Sequence, residues 1–292
     1  MIIDFRVRPP MEPFLSDPIF TNVGAVAREY GLPSPASAEK KSIDLFLKEM
    51  EAADVVHCVC TGRALPDPRL TPGNEEIAKA MAQYPGKFSG YAGIDPYDVP
   101  AALARVEKAI KELGFKGIIL EPNIHLGVAL VVPGSKSESR MFPPLYPTDS
   151  RFYPIYEKCQ ELGVPVMLTL SCRIGPDIDY CSPVYVDRIA GDFPKLTLII
   201  SHACWPWVNE ICGVAWKRNN LYLLPDAYSL VMPGHLQFLE AANSYLHDRI
   251  LFGTVYPQLP QKEVLDILKG LPWKPGVLEK FLYQNAARLL GL

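Results

Sequence analysis

The sequence contains no run of eighteen apolar residues, and no charged-then-apolar leader precedes its first strand-like segment. Neither a membrane span nor a secretory signal is therefore expected. No G-x-G-x-x-G or P-loop motif follows any strand-like segment, which argues against dinucleotide and nucleotide binding. Excess charge is also small. A formal net charge of −3 gives no electrostatic reason to expect nucleic acid or an anionic membrane as partner. The seven cysteines (Cys58, Cys60, Cys159, Cys172, Cys181, Cys204 and Cys212) are odd in number. They form no Cys-x-x-Cys pair and no zinc-finger cluster. Several lie in apolar stretches, where a reduced cysteine behaves as a small hydrophobe, and a cytoplasmic protein is the expectation.

What is present is a core-forming chain. Its 292 residues are 49% hydrophobic and 21% charged, an ordinary globular balance. The 29 prolines fall in loops and at element boundaries rather than in a linker. Apolar strand-like runs alternate with amphipathic helices throughout. Strands are predicted at 2–5, 54–60, 88–94, 116–120, 165–170, 196–201, 220–224 and 249–253. Helices are predicted at 36–53, 74–84, 99–113, 152–162, 185–192, 208–217 and 235–246, and two more, at 261–271 and 277–290, close the chain. Short apolar strands separated by helices are buried on both faces, which favours a parallel sheet. Eight of them predict one closed (β/α)₈ TIM barrel over residues 1–292, in the α/β class.

In such a barrel the chemistry gathers at the carboxyl ends of the strands. The loops at 9–35 and 121–150 are long enough to be functional. The second contains Met141-Phe-Pro-Pro-Leu-Tyr146, suited to covering a pocket or to self-association.

Several strand-end motifs resemble the amidohydrolase-related family, which includes aminocarboxymuconate-semialdehyde and resorcylate-type decarboxylases and various lactonases. Met1-Ile-Ile-Asp-Phe-Arg-Val-Arg-Pro9 is similar to its opening I-D-x-H-x-H-x-x-P. Gly93-Ile-Asp-Pro96 and Gly114-Phe-Lys-Gly-Ile-Ile-Leu120 resemble its middle. So do Phe152-Tyr-Pro-Ile-Tyr156 and Leu162-Gly-Val-Pro-Val166. Phe193-Pro-Lys-Leu196 with Ile200-Ser-His202, Arg249-Ile-Leu-Phe-Gly-Thr254 with Pro257, and Asn285-Ala-Ala-Arg-Leu-Leu290 resemble its later segments. The resemblance spans essentially the whole chain.

That resemblance implies a metal-dependent hydrolase-like or decarboxylase-like site, with a dimer or higher oligomer. The departures fall on the site itself. The positions of the first two metal ligands hold Arg6 and Arg8, the fifth-strand histidine position holds Thr169, and the eighth-strand aspartate position holds Val255. Only the sixth-strand histidine is kept, as His202. Zinc needs three or four N, S or O ligands, and guanidiniums at its edge oppose a dication. No metal and no other cofactor is therefore expected. Relocated ligands such as His57, Cys58, Cys204 or Asp226 form a third reading that no spacing supports.

Arg6 and Arg8 alternate by two and so share one side of the first strand. Either they clamp an anionic small molecule, since guanidinium suits carboxylate and phosphate, or they form internal ion pairs with acids such as Asp95, Glu121 or Asp226. His202 is the candidate acid–base group or else a hydrogen-bonded core histidine. Asp226 either orients His202 and moves a proton or caps a helix and pairs an arginine. Thr169, Arg173, Tyr228 and Tyr256 complete the candidate substrate-binding set. Trp205 and Trp207 join Tyr228 and Tyr256 as an aromatic wall or as packing. Cys172 and Cys204 are nucleophile candidates or inert thiols. His125 is expected at the surface, and His235 and His247 in structural roles.

Two functions are thus open. One is a metal-independent hydrolase or carboxy-lyase acting on a small carboxylated or cyclic, lactone-like substrate. The other is a catalytically degenerate barrel that binds a metabolite or a protein.

Overall fold

A computed structural model describes residues 1–64, 73–122, 145–173 and 177–292. His125 and most of the 141–146 segment lie outside them. Seven strands form one parallel sheet in sequence order: β1 (Ile2–Val7), β2 (Val55–Thr61), β3 (Phe88–Gly93), β4 (Gly117–Leu120), β5 (Val166–Thr169), β6 (Leu198–Ser201) and β7 (Leu221–Leu224). Residues 249–256 close the circle. On one side Leu223 N donates to Arg249 O (2.9 Å) and Leu251 N to Leu223 O (2.8 Å); on the other Phe5 N donates to Phe252 O and Arg8 N to Tyr256 O (both 2.9 Å). The expected eighth strand is thus reduced to single bridges, Leu223 to Ile250 and Val7 to Tyr256. The cause is local. Thr254 N is taken by the Asp4 carboxylate (3.0 Å) and Ile250 O by the Asn285 side chain (2.9 Å). In addition, Val255 sits at φ 57°, outside strand conformation.

The helices pack around this ring: α1 (Ala25–Glu29), α2 (Ala36–Glu39), α3 (Ile43–Ala52), α4 (Asn74–Ala82), α5 (Val99–Lys111), α6 (Tyr153–Leu162), α7 (Pro183–Asp192), α8 (Val208–Lys217), α9 (His235–Ala242) and α10 (Gln261–Lys269). The expected 36–53 helix is divided in two because Lys41 turns left-handed (φ 49°) and the Ser42 hydroxyl then caps α3 at Leu45 N, 3.3 Å away. The chain's last helix, expected as 277–290, runs as α11 (Val277–Glu279), a π-turn (Lys280–Gln284) and α12 (Asn285–Leu290). In α5 the Asp98 carboxylate accepts from Ala101 N (3.1 Å), Pro100 fills the first turn, and Ala102, Val106 and Ala109 turn inward at spacings of four and three.

Inside the ring the side chains stack in two layers. Ile3, Phe5, Val59, Tyr91, Ile119, Met167, Ile199 and Leu251 form an apolar layer, with Ala286, Ala287 and Leu290 of α12 packed against it. Two residues further along each strand the same face becomes polar or small: Thr61, Gly93, Glu121, Thr169 and Ser201. β1 joins this second layer through a register irregularity between Asp4 and Val7. Phe5 lies in the apolar layer, while Arg6 and Arg8 enter the polar one. None of the described helices is long and apolar enough to cross a membrane.

Candidate active site

The polar layer carries a compact charge cluster. Arg6 Nη1 lies 3.1 Å from Asp226 Oδ2 and 2.8 Å from His202 Nε2, and it also donates to Ser201 Oγ. Arg6 Nη2 reaches Thr169 Oγ1 at 3.5 Å and lies 4.0 Å from Glu121 Oε1. Arg8 Nε is 3.2 Å from Asp17 Oδ2, an ionic contact without hydrogen-bond alignment, and Arg8 Nη2 is 3.6 Å from Glu121. Arg63, just past β2, donates to Glu121 Oε2 and to Asp17 Oδ1, both at 3.0 Å. Three buried guanidiniums thus face three buried carboxylates. Of the acids expected to pair them, Glu121 and Asp226 do so, whereas Asp95 instead accepts from Tyr97 N. Arg6 and Arg8 are therefore internally paired, yet both also line a cavity of about 190 Å³.

The pairing sets the protonation states. Burial alone would raise the Glu121 carboxyl, but Arg63, Arg8 and Arg6 hold it below its usual value. Burial and the neighbouring Arg63 push Arg8 down to about 10, which leaves it charged. Asp226 is pushed up by burial, against the opposing pull of Arg6 and the hydrogen bonds from Ser201 and His202 N. His202 is driven well below its ordinary value by burial and then by Arg6, Arg8, Arg173 and Arg63, so its imidazole is neutral. Since Arg6 can only donate, His202 Nε2 is the acceptor nitrogen and Nδ1 holds the proton, 3.3 Å from Asp226 Oδ2.

Strained backbone concentrates here. His202, Ala203 and Cys204 follow β6 at φ 64°, 44° and 54°, Asp226 follows β7 at φ 54°, and Val255 has φ 57°. Left-handed conformation costs roughly 1–2 kcal/mol per L-residue, and such strain gathers where a site requires it. Two glycines permit close approaches. A Cβ on Gly93 would meet the Arg63 backbone at 2.6 Å, and one on Gly253 would meet Asp226 Oδ1 at 2.8 Å.

Ile19, Val26 and Tyr30 from the long first loop line the cavity together with Tyr228 and Ser171. Tyr228 stacks on Trp205 (4.8 Å), meets the His202 ring edge-on (5.6 Å) and bonds Ser171 through its hydroxyl (2.7 Å). Arg173 stands at the mouth. Thr169 is fully buried beneath Arg6 and does not line the cavity. Tyr256 is not a cavity residue either. Its backbone pairs with Arg8, and its side chain turns outward to Phe46 (4.5 Å) and Ser37 Oγ (2.6 Å). Trp207 instead bonds Ile178 O through Nε1.

Buried Cys204 and half-buried Cys172 have thiols pushed upward by burial, which does not suit a nucleophile. His57 bonds Gly86 O and Ser89, His235 its neighbour Met232 O, and His247 pairs with Asp248. Among the described residues no three His, Cys, Asp or Glu side chains are grouped so as to hold a metal ion. Where the resemblance sets a dication, the Arg6 guanidinium stands between Thr169, Ser201, His202 and Asp226, a donor set that does not fit one. Arg63 and Asp17 escaped the sequence reading. Arg63 follows a strand end and was open to that rule, but Asp17 lies in an irregular loop that gives no such signal.

The chain matches the amidohydrolase family over residues 3–292. It belongs to that family. A gamma-resorcylate decarboxylase from a Polaromonas species is 30% identical over 256 residues, 75% of this chain and 75% of that protein. A 2-keto-4-carboxy-3-hexenedioate hydratase from a Sphingobium species is 32% identical over 144 residues, 44% of this chain and 38% of that protein. The crystal structure of an uncharacterized TIM-barrel protein from Bordetella bronchiseptica superimposes with a TM-score of 0.89 at 40% identity, over 99% of this chain and 98% of that one. The chain is thus an amidohydrolase-family TIM barrel similar to a decarboxylase and, over part of its length, to a hydratase.

Proposed function

We propose that this amidohydrolase works without a metal and activates water against a small carboxylated or lactone-like substrate, with His202 as general base. The observation that carries the reading is the state of His202. It is a neutral imidazole lining the cavity, with Nε2 as acceptor and Nδ1 3.3 Å from Asp226 Oδ2 without hydrogen-bond alignment. Arg6 Nη1 has two hydrogens for three acceptors, Ser201 Oγ, His202 Nε2 and Asp226 Oδ2. Proton acceptance from water therefore requires Nη1 to turn its hydrogens to the first and third and withdraw from the Nε2 lone pair it otherwise occupies. The imidazolium so formed is repelled by four guanidiniums, those of Arg6, Arg8, Arg173 and Arg63, and passes its proton readily to the leaving oxygen or to carbon. Both curated relatives have carboxylated compounds in their names, which supports the substrate class.

Carboxy-lyase chemistry is the second reading, favoured by the decarboxylase relative. Chelator-treated protein assayed on carboxylated lactones and hydroxybenzoates in ¹⁸O-labelled water separates the two, since hydrolysis or hydration incorporates the label and decarboxylation releases carbon dioxide. His202→Asn is expected to lower kcat about 10²–10⁴-fold at retained thermal stability. Activity that disappears on chelation and returns with zinc would overturn the metal-free mechanism. Binding without turnover would point to a degenerate barrel.

A further inference from the structure

Arg6, Arg8 and Arg63 are poor sites for a substrate anion, because each is already held by a carboxylate at most 4% exposed. An incoming anion there would have to displace a buried acid and leave it uncompensated. Arg173 is different. It lines the same cavity, and its guanidinium grips Glu29 through both terminal nitrogens, Nη1 to Oε2 at 2.6 Å and Nη2 to Oε1 at 3.1 Å. The two side chains are 48% and 53% exposed. Glu29 ends α1, the short helix of the long first loop, and lines the cavity too. On release its carboxylate regains water rather than facing a desolvated interior, so this pair is weak and exchangeable. The root of Arg173 is fixed, with its N–H donating to Ser171 Oγ (3.2 Å), which in turn bonds the Tyr228 hydroxyl.

We propose that Arg173 is the substrate-anchoring cation, its bidentate guanidinium exchanging the Glu29 carboxylate for that of the substrate at the cavity mouth. Glu29 then acts as a resident competitor that occupies the anion position until a ligand displaces it. This rests on the carboxylated-substrate reading above and specifies which guanidinium among those of the cavity takes the carboxylate. It makes the two members of one ion pair opposite in effect. Loss of the arginine weakens anion binding, whereas neutralising the glutamate strengthens it.

Benzoate and its neutral isostere benzamide serve as probes, with affinities measured by titration calorimetry on the full chain. Arg173→Met is expected to weaken benzoate about tenfold and to leave benzamide unchanged, as loss of a charge-assisted hydrogen-bonded pair does. Glu29→Gln is expected to tighten benzoate several-fold. Melting temperatures control for folding, and both side chains are exposed enough that the variants should fold. If the pair were only a structural latch for α1, both variants would shift benzoate and benzamide in the same direction, and the proposal would fall. If the native protein prefers benzoate and Arg173→Met keeps that preference, the anchor lies elsewhere while the carboxylate reading stands. If the native protein does not distinguish the two probes, the carboxylate reading fails along with the anchor.

Discussion

Arg6 touches more of the site than any other residue described. It holds Asp226 and Ser201, shares a hydrogen with His202 and leans on Thr169 and Glu121. Replacing it with methionine keeps the volume but leaves Asp226 buried without a cation. Arg6→Met is expected to cost about 3–5 kcal/mol near neutral pH, measured by denaturant unfolding. The loss should shrink on acidification. Asp226 already has a raised pKa, and without Arg6 it rises further. A raised folded-state pKa favours folding below the unfolded value, and that benefit disappears as pH rises through the folded one. The penalty at pH 5 is therefore smaller than at pH 8. A penalty independent of pH would mean that Asp226 is not the group left exposed to the interior.

At the scale of elements, the sequence made the strand–helix alternation plain because each strand is a short apolar run and each helix has an apolar stripe. It also made plain that Arg6 and Arg8 share a side. What periodicity could not show is where an element breaks for tertiary reasons. The break at Lys41–Ser42 depends on one left-handed residue and one cap. The reduced eighth segment depends on Asp4 and Asn285 taking its backbone groups from 250 and 35 residues away. The same limit hid Tyr256. Its position after the eighth segment read as pocket, but the bend at Val255 turns the ring outward to Phe46. Arginine pairing was legible as an alternative, yet which acids pair depends on loop paths, and Asp17 came from the least regular stretch. Gly253 tests how tightly this segment supports the site. Gly253→Ala places a methyl 2.8 Å from Asp226 Oδ1 and 3.1 Å from Leu224 Cδ1. Displacing Asp226 should lower kcat by at least tenfold with little change in KM, because Asp226 accepts from the His202 backbone N–H (3.0 Å) without lining the cavity. Equal losses in both constants would place Asp226 among the groups that bind substrate.

The whole molecule also carries a buried acid that the site does not use. Asp4 is fully buried, accepts from Thr254 N and Oγ1 and from Gln261 Nε2, and is pushed up to about 6 chiefly by burial. Between the unfolded value near 3.8 and about 6, the folded chain binds more protons than the unfolded one. This residue therefore makes stability fall as pH rises through that window, and its contribution levels off above it. Asp4→Asn removes the slope. The difference in unfolding free energy between native and variant should change between pH 4 and pH 6 and stay flat from pH 7 to pH 8. A flat difference throughout would mean that Asp4 is ionised across the range.

The charge cluster has a consequence for how such a barrel could change over generations. Its three cations and three anions come from residues as far apart as Arg6 and Asp226 and are locked to one another in the interior. Replacing Arg6 strands Asp226, whereas Asp17 and Glu121 each keep a second arginine when one is lost, so the steepest stability valley on a one-step path out of this arrangement lies at Arg6. Exchange of Arg6 together with Asp226 for an uncharged pair would need two coordinated substitutions before either was tolerated. The arginines thus act as a ratchet, keeping the chain on the side of the family where it now stands.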